Sequence, residues 1–158
     1  MERSINDRGF TYLYLLFAIL IIGISLSAIG KQWSFIDQRD KEEELLFRGD
    51  QYVKAIDSYF KSAHGKVNLY PKKMEDLIKD PRSLTPRRYL RKLYTDPFTG
   101  KNDWILVKDK KSGRIKGVKS RSEETPIRED GFAKQYIHFK GKGSYSEWEF
   151  VHKPGMIR

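Results

Sequence analysis

The sequence predicts an α+β protein, one long N-terminal helix followed by a small antiparallel β-sheet. Three observations lead there. Residues Phe10 to Gly30 (FTYLYLLFAILIIGISLSAIG) carry no charged side chain. Leu45, Leu46, Gly49, Tyr52, Val53, Ile56, Tyr59, Phe60 and Ala63 then recur at the i, i+3, i+4 spacing of one helix face. From Trp104 onward, short apolar segments alternate with turn residues, as strands do.

The uncharged run comes first because it sets the class. As a helix, its residues rise roughly 32 Å, the hydrocarbon thickness of a bilayer. A secretory signal peptide fits less well, since the run outlasts a usual h-region and no clean small-x-small site follows it. The rest of the 158 residues suffice for one modest domain. Charged residues make up 33%, yet aromatics reach 13%, so the polar part can still build a core. The absence of cysteine excludes a disulfide framework, a thiolate zinc site and a cysteine nucleophile. A net charge of +10 suits nucleic acid, anionic lipid or an acidic protein, and charge alone does not choose among them.

Before the run stands a short polar leader, MERSINDRG, ending in glycine, and FTYLYLL follows directly. Gly9, Phe10, Thr11, Leu15 and Leu16, with Arg8 before and Leu13 within, resemble the type IV prepilin signal of pilins and type II secretion pseudopilins. The resemblance implies cleavage between Gly9 and Phe10 by a prepilin peptidase, methylation of the new amine, and retention of the apolar helix for assembly. It assigns packing in a filament to Thr11, Leu13, Tyr14, Leu16 and Phe17. Two positions depart from the pattern. Tyr12 replaces the usual leucine, and Tyr14 replaces the glutamate at the fifth mature position. That carboxylate neutralises a neighbour's N-terminal ammonium in the family, and an unpaired buried ammonium costs several kcal/mol. A tyrosine hydroxyl accepts a hydrogen bond but cancels no charge. The departure implies a minor subunit near a filament tip. Orientation is contested: the Lys and Arg flanks alone place the C-terminal side in the cytoplasm, whereas the leader places it outside.

Beyond Gly30 the helix is expected to continue to about residue 63, with His64-Gly65 as its stop and Asp50, Lys54, Asp57 and Lys61 on its polar face. Asp37 to Glu44 make the junction strongly polar. Pro71 to Asp80 read as a short helix. Asp96-Pro97-Phe98-Thr99-Gly100 read as a turn. Trp104–Val107 and Arg114–Val118 read as a hairpin around a charged turn, and Ile137/Phe139 and Trp148/Phe150 as two more strands. The expected organisation is a leader over 1–9, a transmembrane and assembly helix over 10–30, its amphipathic continuation over 31–64, and a globular head over 65–158. The head is also similar to pseudopilin-like proteins through Tyr89-Leu90-Arg91-Lys92, Asp96 to Gly100 with Trp104, Gly117-Val118-Lys119-Ser120, and Tyr145 to Phe150. The expected fold is thus pilin-like, the long helix packed on a small antiparallel head sheet.

Little points to catalysis. His64, His138 and His152 are not spaced as metal ligands, and no nucleophile or phosphate-loop motif occurs. No catalytic residue, metal or cofactor is expected, and the chain is read as a non-enzyme. Asp96, Asp103, Glu123, Glu124, Glu129 and Asp130 are loop acids on which the family's calcium site does not map. Arg87, Arg88, Arg91 and Lys92, near Arg82, Tyr89 and Tyr94, form a candidate partner-binding patch, and Lys108, Lys110, Lys111 and Arg114 form a second group. The expected role is a pseudopilin subunit of a type II secretion pseudopilus, anchored once in the inner membrane with a periplasmic head. Its expected partners are other pilin-like subunits, the prepilin peptidase, the inner-membrane assembly platform and membrane lipid. A minor type IV pilin that binds DNA or surfaces is the alternative.

Overall fold

The computed structural model describes residues 7–62 and 68–155, with the side chains of all of these except 7–9 and 26–32. The protein is α+β. Its elements are one long helix, α1 (Asp7–Lys61), a 3-10 helix at Met74–Leu77, strands β1 (Ile105–Lys108) and β2 (Ile115–Lys119), 3-10 helices at Lys134–Phe139 and Tyr145–Glu147, and strand β3 (Phe150–Val151). The chain divides into two compact units, Met1–Gln38 and Arg39–Arg158.

In the first unit, α1 carries exposed side chains from 10 to 25 around its whole circumference, with Ala18 alone half-buried. The apolar run lacks Pro, and Leu, Ala and Ile propagate a helix readily. Among the described residues, no helix is long and apolar enough to cross a membrane. The described side chains of the uncharged run stop at 25, short of the roughly 20 residues that a span needs.

In the second unit the expected apolar stripe becomes the core. Leu45, Gly49, Tyr52, Val53, Ile56 and Tyr59 are buried on α1, Leu46 packs at the margin, and the half-buried Phe60 lies against Tyr70 and His152. Ala63 and the expected stop at His64-Gly65 lie outside the described residues. Two acids of the expected polar faces are buried instead. Glu42 is 2% exposed and Asp57 is 7% exposed, each because a distant segment folds over it.

β1, β2 and β3 form one antiparallel sheet in that order. Leu106 pairs with Val118 and Val118 with Phe150, so the register runs straight across the sheet. A bulge between Val107 and Lys108 precedes the hairpin turn. That turn closes through Asp109, whose carboxylate accepts from the Ser112 amide and hydroxyl at 2.9 Å, with Gly113 at φ 65°. The buried Phe150 ring lies directly over Gly49 of α1, where a Cβ would collide with it. Sheet and helix therefore approach as closely as one glycine permits.

Three expected elements differ. The helix expected over Pro71–Asp80 is one 3-10 turn, Met74–Leu77. Asp76 explains its shortness, for its carboxylate takes the Lys72 and Lys73 amides at 3.0 and 3.1 Å and closes a tight local turn. The strand expected at Ile137 and Phe139 is the 3-10 helix Lys134–Phe139. Its threefold repeat buries Tyr136 and Phe139, three residues apart, and leaves Ile137 64% exposed. The last strand is Phe150–Val151 alone, and Trp148 precedes it as a fully buried side chain stacked on Phe139.

Candidate functional site

The candidate residues fall in two places. Gly9, Phe10, Thr11, Leu13, Tyr14, Leu16 and Phe17 all lie within α1. The surroundings of Gly9 fall outside what is described. Phe10 and Tyr14 are more than 70% exposed, and Leu13, Leu16 and Phe17 are about half exposed. Their neighbours Leu15, Ile19, Leu20, Ile21, Ile22 and Ile24 are exposed as well, so no polar face interrupts the apolar surface. A helix apolar all round is a core or lipid element, not a surface helix in water. Leaving this segment in water forgoes on the order of 20 kcal/mol of burial, more than the whole net stability of most domains.

The second place is the basic segment from Arg82 to Lys92. It is held to the rest of its unit by backbone. The amides of Tyr89 and Leu90 both donate to the Leu77 carbonyl, at 2.9 and 3.0 Å, and the Asp80 amide donates to the Arg87 carbonyl at 3.1 Å. Beneath it sits an ion pair. Asp80, nearly fully buried, accepts from Arg82 Nη2 at 2.8 Å, from Arg82 Nε at 2.9 Å and from the Tyr89 hydroxyl at 2.8 Å. The fork from Arg82 holds the Asp80 carboxyl well below its usual value, at about 2. The same guanidinium lies 3.5 Å above the Tyr59 ring and donates to the Tyr59 carbonyl. Arg82 is thus a clamp between segment and helix, not a free cation. Arg87, Arg88, Arg91 and Lys92 are exposed. Arg88 turns back to donate to the Leu90 and Arg91 carbonyls, which stiffens the segment without cancelling its charge. Of the second basic group, Arg114 is committed to the Tyr70 carbonyl at 3.0 Å.

The head motifs that carry the resemblance converge in the core. Asp96, fully buried, accepts from the Ser120 hydroxyl at 2.6 Å and the Phe98 amide at 2.9 Å, and the turn closes on Gly100 at φ 69°. Phe98 stacks on Tyr145 at 4.1 Å. The Tyr52 hydroxyl donates to the Tyr94 carbonyl at 3.0 Å and accepts from the Tyr94 amide at 2.8 Å, and Trp104 donates to the same carbonyl. Burial pushes the Tyr52 hydroxyl up to about 12, so it stays protonated. These residues are a scaffold: the polar atoms of Asp96, Ser120, Tyr52 and Trp104 are spent on neighbours, and of the buried side-chain polar atoms among the described residues Trp148 Nε1 alone has no hydrogen-bond partner.

Two buried acids of α1 were missed by sequence reasoning because their partners are distant. Glu42 accepts the amides of Ile127 and Arg128 and the Tyr145 hydroxyl, all on one oxygen. Asp57 faces His152 Nε2 at 3.0 Å and Lys61 at 2.8 Å, while the Tyr70 hydroxyl meets His152 Nδ1 at 3.2 Å. Burial pushes His152 below its usual value against the opposing pull of Asp57, so the ring is a neutral structural link. His138 is exposed, and His64 lies outside the described residues. Of the loop acids, Asp103 accepts from the Thr99 hydroxyl and Asp130 binds Lys140. Among the described residues, no group of three or more His, Asp or Glu is gathered to hold a metal ion. No protein-family model, no curated protein and no solved structure matches this chain.

Proposed function

We propose that this chain is a pilin-like structural subunit that is cleaved after Gly9 and built into a filament through α1, with a type II secretion pseudopilus as its setting. The observation that carries the reading is the exposed, uncharged and mostly apolar surface of α1 from Phe10 to Ile24, preceded by the polar leader. A surface of this kind needs lipid before assembly and other helices after it. The same helix supplies the core face of a compact α+β head, so one element both anchors and carries the domain. The expected minor position rests on Tyr14, whose hydroxyl cannot neutralise a neighbour's ammonium.

The test is mass analysis of the mature N-terminus from cells that contain the prepilin peptidase. A chain beginning at N-methyl-Phe10 is expected, and Gly9→Ala is expected to keep the leader. An intact Met1 in the same cells, with the peptidase active on its own substrates, would remove the reading.

A further inference from the structure

The net charge of +10 is not spread along the chain. Residues 39–158 hold 28 of the 31 lysines and arginines and 18 of the 21 acids, so the whole excess resides there. Folding then takes acids off the surface. Glu42, Asp57, Asp80 and Asp96 are buried, whereas no lysine or arginine is buried among the described residues. The imbalance is sharpest from Pro81 to Thr95, which contains no acid. Arg87, Arg88, Arg91 and Lys92 are exposed there, and none is in an ion pair among the described residues.

At the tip of the same segment stands Leu84, fully exposed. A lone exposed leucine is ordinary on a protein surface. This one is not loosely placed. The Asp80 amide reaches the Arg87 carbonyl, the Ser83 amide reaches the Asp80 carbonyl at 3.4 Å, and Arg82 is pinned to Asp80 and Tyr59. The loop is closed at its base and presents an apolar tip flanked by unneutralised cations.

The geometry points to the loop of residues 81–92 as a docking site for an anionic lipid surface. Leu84 enters the boundary between headgroups and acyl chains, and Arg87, Arg88, Arg91 and Lys92 meet the lipid phosphates. Nucleic acid fits less well. The aromatic neighbours that would stack on bases are turned inward: the Tyr89 ring packs on Tyr59 with its hydroxyl on Asp80, and Tyr94 packs against Tyr52. An apolar tip also gains nothing on a phosphate backbone. The contact is one of the loop with a membrane surface and forms whether or not α1 sits in the same bilayer. It does not depend on cleavage after Gly9.

The experiment uses the full chain held by its apolar helix in nanodiscs of phosphatidylcholine. Vesicles of phosphatidylcholine, with or without one-third phosphatidylglycerol, are added, and co-flotation is measured. Binding to the phosphatidylglycerol vesicles alone is expected, weakening as salt rises. Leu84→Ser is expected to weaken it about tenfold, and Arg87→Ala with Arg91→Ala by at least as much. All three side chains are exposed, so unchanged melting of the variants is expected. Equal binding to neutral vesicles, no binding to either, or full binding by Leu84→Ser overturns the proposal. So does retention on duplex DNA that is insensitive to Leu84→Ser and competes with the vesicles, which would make nucleic acid the partner.

Discussion

Gly49 and Phe150 define how closely sheet and helix meet, and a single methyl tests it. Adding a Cβ at Gly49 gains about 1 kcal/mol of helix propensity but drives into a ring that is fully buried and has nowhere to move. Gly49→Ala is therefore expected to lose a net of about 1–2 kcal/mol in urea unfolding, the upper end of the overpacking cost, about 2–3 kcal/mol for so close a contact, less the propensity gain. Asp80 tests the clamp under the basic loop. Asp80→Ala takes from Arg82 and the Tyr89 hydroxyl the carboxylate they share, leaving them only the Tyr59 carbonyl and the Ser62 hydroxyl, at a cost of about 2–3 kcal/mol. Its carboxyl titrates lower in the fold than in the unfolded chain, so its stabilisation is present above the unfolded value of 3.8 and is lost as pH falls toward about 2. His152 acts in a milder range. Its folded value is depressed by burial, so its contribution is full above 6.5 and is lost as pH falls through the folded value. The groups facing it are Asp57, Lys61 and Tyr70. The gap in melting temperature between the native protein and His152→Gln is expected to narrow on acidification below 6.5. A gap that is constant or widens there would show that the ring is not buried neutral.

At the scale of elements, the segment Lys134–Phe139 separates two geometries. A strand would put Ile137 and Phe139 on one face, both buried, whereas the 3-10 helix buries Phe139 with Tyr136 and turns Ile137 out. Phe139→Ala is expected to cost about 3–5 kcal/mol and Ile137→Lys less than about 0.5 kcal/mol. Comparable losses at both positions would restore the strand. This segment shows what the sequence could not tell. Two apolar residues separated by one polar residue match a strand, and the aromatic three positions from Phe139 signals the other period only once Trp148 and Phe150 are known to cover it. The stripe from Leu45 to Tyr59 was legible because four helical turns repeat it, and the Asp96–Gly100 turn because Pro and Gly dictate local backbone. Glu42 and Asp57 were not, since the groups that fold over and bury them, Ile127 and His152, lie 85 or more residues away and a lone acid in a charged stretch looks like any other. The basic segment was legible as composition. Its division into a structural clamp, Arg82, and exposed cations was not.

For the whole molecule, the two units divide the chemistry. Residues 1–38 hold three basic and three acidic groups and carry the apolar surface, and residues 39–158 hold the excess charge and the core. The central claim is that the apolar surface of α1 exists to pack against other subunits after lipid has held it. The chain has no native cysteine, so single cysteines report its neighbours without background. Leu13→Cys, Leu16→Cys and Phe17→Cys are introduced one at a time, with Glu75→Cys on the head as control, and native membranes are labelled at the thiol with a maleimide–benzophenone reagent and irradiated, so that the photoactivated ketone inserts into a C–H bond of whatever chain lies beside it. Covalent links to other pilin-like subunits from at least one α1 position, and none from Glu75→Cys, are predicted. Chains that stay monomeric at all three α1 positions, in membranes where the native filament assembles, would contradict the account.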